Sequence, residues 1–251
     1  MRRFFIEQSK ITSTKIFITG SDAAHIKKVL RMKSGDRIGL FDGRGFEYEA
    51  KIENLLAGSV EVSIIKRFLS ASESPVQIIV AQSLLKDKKM DILARQLTEI
   101  GVARLIAFTS IRSVPRPDKK RLLARRKRWE KIAIESLKQC GRGYVTEIGE
   151  TITFNDIIKM DNECDLKIVF WENESKPISD AVQQVHVGHY RKILAVLGPE
   201  GGFSEKEIED ARDCGFVTAS LGPRILRAET AAVAACTILQ YLFGDMGLKK
   251  S

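Results

Sequence analysis

Ile193-Leu-Ala-Val-Leu-Gly-Pro-Glu-Gly-Gly-Phe-Ser-Glu-Lys-Glu207 decides how this 251-residue chain is organised. Its first five residues are all apolar, the pattern of a strand buried on both faces in a parallel sheet covered by helices. Gly198-Pro199 stops that strand. Ser204, with Glu207 three residues on, forms the capping box of a following helix. A strand running through a glycine loop into a capped helix is the repeating unit of an α/β domain, whose ligands bind beyond the carboxyl ends of the strands. A second loop of the same kind, Gly222-Pro-Arg-Ile-Leu-Arg-Ala-Glu-Thr230, follows the apolar run Phe216–Leu221. Neither loop is a Walker A, since no Gly-Lys-Ser/Thr follows, and neither is Gly-x-Gly-x-x-Gly. Taken singly, each is no more than a tight connection. Two on successive strands, the second holding two arginines and a glutamate, mark a ligand site.

The same grammar extends upstream. Val76–Ala81 reads as a buried strand, Met90–Ile100 as an amphipathic helix stopped by Gly101, and Leu105–Phe108 as the next strand. Asp118 caps a long helix reaching Cys140, with Leu122, Trp129, Ala133, Ser136 and Leu137 on one stripe. Leu166–Trp171 is a further strand, helices are expected near 178–185 and 204–214, and the nearly all-apolar helix Ala231–Phe243 is expected to be buried. Alternating strands and helices predict an α/β domain with a mostly parallel sheet. The first 70 residues differ. Lys15–Thr19 alternates, Ser21 is placed to cap a short helix running through His25 to Met32, and Arg37–Phe41 pairs with Phe46–Ile52 about Asp42-Gly43-Arg44-Gly45. With Val60–Ile65 these strands make a small β-barrel-like unit. Ser70–Pro75 is a polar linker, so the expected domains are residues 1–70 and 73–251.

Lysine and arginine outnumber aspartate and glutamate by 41 to 32, a net charge of +9. Between Arg112 and Arg128 nine cations face the single anion Asp118, so eight of the nine net charges sit in one segment. That is the footprint of a polyanion site, and the run lacks the interspersed glutamates of a self-neutralised helix face. Arg112, Arg116, Arg121, Arg125, Arg126 and Arg128 are the candidate nucleic-acid contacts. No stretch approaches 18 consecutive apolar residues, and Met-Arg-Arg-Phe-Phe-Ile6 is too short an apolar start for a signal peptide, so no membrane partner and a cytoplasmic location are expected. The four cysteines (140, 164, 214, 236) and three histidines (25, 186, 189) are too scattered for a zinc site. Reduced, mostly buried thiols and no metal are expected.

The strings Leu197–Ser204 and Leu221–Ala231 closely resemble the RsmE family of ribosomal small-subunit RNA methyltransferases, part of the SPOUT superfamily of knotted methyltransferases. The likeness spans the chain. His25-Ile-Lys-Lys-Val-Leu-Arg31 matches the family's N-terminal motif, Thr98-Glu-Ile-Gly-Val102 its Glu-Leu-Gly-Val, and Gln139-Cys-Gly-Arg142 its Gln-Cys/Ser-x-Arg. Ile100, Lys138 and Val145-Thr146 depart from the usual pattern, all outside the glycine loops. The resemblance implies a PUA-like N-terminal barrel, a SPOUT domain whose C-terminal segments (about 193–245) form a trefoil knot, and a homodimer. It also implies S-adenosylmethionine held bent by the knot loops, and methylation of N3 of one uridine in 16S rRNA of the small ribosomal subunit.

Methyl transfer from a sulfonium is an in-line displacement that rests on positioning and electrostatics and requires no metal. The uridine imide proton leaves and negative charge spreads over the flanking carbonyl oxygens. Arg142 and Arg227 are candidates to stabilise that charge, Glu99 and Glu229 to accept the proton. Each has a plainer reading: Arg142 as a phosphate contact, Glu229 as an anion favoured by a helix N-terminus. Leu197, Gly198, Glu200, Gly202, Leu221, Gly222, Ile225, Leu226 and Thr230 are the candidate cofactor residues. His25 and Arg31 join the RNA contacts, His25 equally as a structural residue. The alternatives are a ribose 2′-O-methyltransferase of the same superfamily and a non-catalytic rRNA-binding assembly factor.

Overall fold

The computed structural model describes residues 2–7, 11, 16–70, 73–160, 164–183 and 190–247. His186, His189, the end of the helix expected near 178–185 and part of the 70–75 linker lie outside them. The chain divides into two compact units, residues 1–73 with 137–145, and residues 74–136 with 146–251.

The first unit holds β1 (Arg3–Phe5), β2 (Ile16–Thr19), α1 (Gly20–Ala24), β3 (Arg37–Phe41), β4 (Phe46–Leu55) and β5 (Ser59–Leu69). The strands form one sheet in the order β1-β3-β4-β5-β2, antiparallel except for β1 beside β3. The β3–β4 turn is fixed by Asp42, whose carboxylate accepts from the Arg44 and Phe46 amides (2.8 and 3.2 Å) and from the Tyr48 hydroxyl (3.1 Å). Register shifts at Glu49/Ala50 and Ile52/Asn54 bend the long β4–β5 pair. The sheet packs Phe4, Ile16, Ile38, Leu40, Ile52 and Val60 into one core. Among the described residues β1 and β2 remain edges, so the expected barrel is an open sheet. The helix after β2 also departs from expectation. Its N-cap is Thr19 rather than Ser21, and it passes at His25 into a π-helical stretch, His25–Val29. It stops short of Met32 because Arg31 has φ +52°, a left-handed conformation that no helix continues through.

The second unit follows the expected alternation: β6 (Gln77–Ser83), α2 (Lys89–Glu99), β7 (Arg104–Thr109), α3 (Lys119–Cys140, its last turn in the first unit), β8 (Glu147–Ile148), β9 (Ile152–Thr153), α4 (Phe154–Ile158), β10 (Leu166–Phe170), α5 (Ile178–Gln183), β11 (Lys192–Leu197), α6 (Glu205–Asp213), β12 (Val217–Ala219) and α7 (Ala228–Phe243). The sheet order is β12-β10-β11-β6-β7-β8 with β9 also beside β7, and every pair is parallel. β10 therefore lies between β11 and β12, the two strands that feed the glycine loops. On one face Ile79, Ile106, Val169 and Leu194 pack with Phe154, Ile157 and Ile208.

Helix α7 corrects a simple inference from composition. Ala232, Ala235, Cys236 and Leu239 are buried, and burial pushes the Cys236 thiol up to about 12. Ile238, Leu242 and Tyr241 (66% exposed) face outward. The other three cysteines are only half-buried, and all four are free thiols.

Candidate functional site

The carboxyl ends of β10, β11 and β12 enclose a cleft of about 500 Å³, within the range of small-molecule sites. Its walls come from three strand ends: Phe170, Trp171 and Glu172 after β10, the run 197–202 after β11, and residues 220–222 and 224–228 after β12, with Lys89 and Ala231 completing it. Leu197, Gly198, Glu200, Gly202, Leu221, Gly222, Ile225, Leu226 and Arg227 all line the cleft, as does Arg224. Thr230 does not; it is exposed on the first turn of α7. The β10 wall escaped the sequence reading because no glycine marks it. Lys89 escaped it because its partners lie far away in sequence.

The β11 loop is held from several sides. Its turn closes with the Gly202 amide donating to the Pro199 carbonyl (3.0 Å). Gly202 has φ +67°, and a Cβ there would run into the Glu172 carboxylate. Phe203 anchors the far end, buried with its ring stacked on Phe108 at 6.4 Å. With Ser204 as N-cap, Phe203 and Ile208 stand where a hydrophobic staple sits, and both belong to one core cluster. Gln82 Nε2 donates to the Gly198 carbonyl (2.9 Å), and Arg112 Nη1 to the carbonyls of Gly201 and Phe203 (3.2 Å each). Arg112, expected among the RNA contacts, thus braces the loop.

One cation ties the two loops together. Lys89 Nζ lies 3.1 Å from Glu200 Oε1 and 3.4 Å from Glu229 Oε2. Glu229 Oε2 is buried, with the Lys89 ammonium beside it. Burial pushes the Glu200 carboxyl up, but the Lys86 amide and the Lys89 ammonium outweigh it and hold the group below the usual carboxylate range. Hydrogen bonding to Glu200 raises the Lys89 ammonium in turn. The stability Glu200 contributes is present above its ordinary, unfolded pKa and is lost as pH falls through its lowered folded value. Glu200→Gln is therefore expected to lower the melting temperature at pH 7 and to match the parent in acid, checked by thermal melts between pH 7 and pH 3.

Of the four catalytic candidates only Arg227 lines the cleft; Glu229, next to the lining residue Ala228, stands just behind the wall with Oε2 buried, and the other two lie elsewhere. Glu99 is exposed at the end of α2 and does not line the cleft. Arg142 belongs to the first unit and is only 6% exposed, with Nη2 3.1 Å and Nε 3.4 Å from Glu73 Oε2. Its guanidinium is thus engaged by a carboxylate of its own unit.

The basic segment also needs correction. Arg128 lies 2.6 Å from Asp91 of α2, Arg126 is 3.1 Å from Glu130 and 3.3 Å from Glu150, and Arg121 is 3.6 Å from Asp118. Asp118 belongs to the run; the other partners, Asp91, Glu130 and Glu150, come from the flanking sequence and from the fold. Arg116 donates to the Ser110 and Ile111 carbonyls. Lys119, Lys120, Arg125 and Lys127 have no ion pair among the described residues. In the first unit, His25 and Arg31 are exposed. Among the described residues no group of three histidine, cysteine or acidic side chains is placed to hold a metal, and no helix is long and apolar enough to cross a membrane.

Comparison with known proteins agrees with this geometry. Residues 72–240 match the family model of an RNA methyltransferase domain, and residues 18–65 that of an RNA methyltransferase PUA domain. The chain is 33% identical to ribosomal RNA small subunit methyltransferase E of Bacillus subtilis, over 96% of either chain. It is 32% identical to the protein of that name in Buchnera aphidicola of Schizaphis graminum, over 97% of this chain and 96% of the other. The crystal structure of ribosomal RNA small subunit methyltransferase E from Neisseria gonorrhoeae, bound to S-adenosyl methionine, superposes with a TM-score of 0.85 at 29% identity, covering 98% of this chain and 99% of that one. By matched family model, sequence identity over nearly its whole length and shared fold, the chain belongs to the ribosomal RNA small subunit methyltransferase E family of RNA methyltransferases.

Proposed function

We propose that this protein methylates N3 of a specific uridine in 16S rRNA of the small ribosomal subunit, in the cytosol, with S-adenosylmethionine as donor. One observation carries the reading: two glycine loops on strands either side of β10 form opposite parts of a single cleft. The residues fit that cofactor. Phe170, Leu197, Leu221 and Leu226 offer apolar surface to a purine, and Arg224 offers charge to a carboxylate. Gly202 leaves a cradle that a Cβ would fill, and at Gly222 nothing lies within 4 Å of the Cβ position, so the backbone is open to close approach. Bound there, the cofactor supplies an electrophilic methyl group on a sulfonium.

The chain's own residues supply the rest. Arg227, exposed at the cleft, stabilises negative charge spreading over the uridine carbonyls as N3 loses its proton. Glu229, next to Lys89, is the candidate to take that proton. Residues 1–70 act as a PUA-like RNA-binding module and 73–251 as the methyltransferase domain, with the trefoil knot over 193–245. A homodimer covers the outer face of α7, where Ile238, Tyr241 and Leu242 stand exposed, as does Ile92 on the neighbouring helix α2. Incubation of small subunits with labelled S-adenosylmethionine, followed by digestion to nucleosides, is expected to place the label on N3 of uridine. Label on a ribose oxygen would refute the reading.

The RNA surface has its own test. Replacing Lys119, Lys120, Arg125 and Lys127 with alanine is expected to weaken rRNA binding. It should flatten the dependence of log K on log salt by roughly three units, at about 0.7–0.9 per phosphate contact. Calorimetry should find cofactor affinity unchanged.

A further inference from the structure

The carboxyl end of β10 carries an acid that the glycine loops do not account for. Glu172 follows that strand by two residues and lines the cleft. Because β10 is flanked by β11 and β12, its end points into the middle of the cleft, between the two loops. The carboxylate rests on the backbone of Gly202, so closely that a Cβ at 202 would collide with it. The left-handed φ of +67° favours glycine at 202, and without a Cβ there the loop leaves the Glu172 carboxylate its place. Of the two acids lining the cleft, Glu200 is occupied by Lys89 and the Lys86 amide. Among the described residues nothing hydrogen-bonds to or ion-pairs with Glu172. It is an acceptor with both oxygens to offer.

We propose that Glu172 binds the ribose of the cofactor, accepting hydrogen bonds from its 2′- and 3′-hydroxyls. The inference rests on the cofactor reading above and adds the subsite. Three features favour the sugar over the cofactor's positive charges. First, ribose is the middle of the molecule, joining purine to methionyl chain, and Glu172 is the middle of the cleft. Second, a carboxylate is a hydrogen-bond acceptor only, and a vicinal diol presents two adjacent donors to it. Third, Arg224 on the β12 loop lines the cleft and has no ion pair among the described residues, which marks that loop as the place for the methionyl carboxylate.

The test is calorimetric titration of the full chain and of the Glu172→Ala and Glu172→Gln variants with three ligands. S-adenosylmethionine carries ribose, sulfonium and ammonium; S-adenosylhomocysteine lacks the sulfonium; 5′-methylthioadenosine lacks both charges and keeps the ribose. Glu172→Ala is expected to weaken all three by the same factor, about 10-fold to 100-fold for a charge-assisted pair of hydrogen bonds. Glu172→Gln, which keeps one acceptor, should lose less for all three. Both variants should melt within a few degrees of the parent, since an exposed side chain without partners is being changed. A loss confined to S-adenosylmethionine would assign Glu172 to the sulfonium, and a loss spared only for methylthioadenosine would assign it to the ammonium. Either result, or no loss at all, overturns the proposal. Failure of the unaltered protein to bind any of the three would instead overturn the cofactor reading itself.

Discussion

Gly202→Ala is expected to weaken S-adenosylmethionine binding by at least about 100-fold while leaving the protein folded. Two costs coincide at this residue. The first is conformational: φ of +67° costs a residue with a Cβ about 1–2 kcal/mol. The second is steric, because the new methyl group and the Glu172 carboxylate claim the same space. Relief requires either that Glu172 swing away or that the loop move off the strand end. The loop cannot shift as a body, since Phe203 is locked into the Phe108–Phe154 cluster at one end and Gln82 holds the Gly198 carbonyl at the other. Glu172 is therefore the group that gives way, and its carboxylate leaves the place it holds in the cleft. Gly222→Ala is the informative contrast. Its φ is +102°, yet nothing lies within 4 Å of the Cβ position, so strain acts without collision and a loss of about tenfold is expected. Calorimetric titration of both variants, with melting curves beside it, separates the two costs. Parent-like affinity in Gly202→Ala would remove the β11 loop from the cofactor site.

The contrast between what the sequence disclosed and what it hid follows from the range of the forces involved. Ile193–Leu197 and Val76–Ala81 are legible as central strands because burial on both faces leaves no polar residue in the run. The Ser204–Glu207 capping box is legible because both hydrogen bonds close within four residues. Interactions between distant segments leave no such trace. Arg142 stands in a family motif and reads as chemistry, but Glu73, 69 residues away, takes up its guanidinium. Arg128 reads as a free cation until α2 brings Asp91 to 2.6 Å, where the same carboxylate also accepts from the Trp129 indole (3.1 Å). Helix α7 shows the limit of composition: an apolar residue is buried only if another element covers it, and none covers Tyr241 in the single chain. At the site itself, the rule that ligands gather at carboxyl ends of strands applied to β10 as much as to β11 and β12. The sequence does not mark that end, because Phe170-Trp171-Glu172 has no glycine to announce a close approach. The glycine that matters to Glu172 is Gly202, across the cleft floor.

Arg227→Ala is expected to slow methyl transfer by about 10²–10³, the range observed when one preorganised donor to a developing oxyanion is removed. The affinity for S-adenosylmethionine should stay within about threefold. Arg227 is the N-cap residue of α7, yet its side chain makes no cap hydrogen bond. It makes no ion pair among the described residues, and it lines the cleft. A guanidinium that stabilises neither its helix nor a neighbouring acid is free to meet charge arriving with the substrate. Uridine brings none in its ground state and acquires it only as N3 loses its proton, so the interaction strengthens on the way to the transition state and acts on rate rather than on binding. Arg227→Lys keeps the charge but loses the planar fork, and should recover only part of the rate. The deficit in Arg227→Ala should shrink as pH rises, because the imide then ionises with less help. Single-turnover transfer from labelled cofactor to small subunits, measured from pH 7 to pH 9.5, reads all three effects. An unchanged rate with weakened cofactor binding would instead assign Arg227 to the methionyl carboxylate, leaving the oxyanion to Arg224, the other guanidinium on that loop.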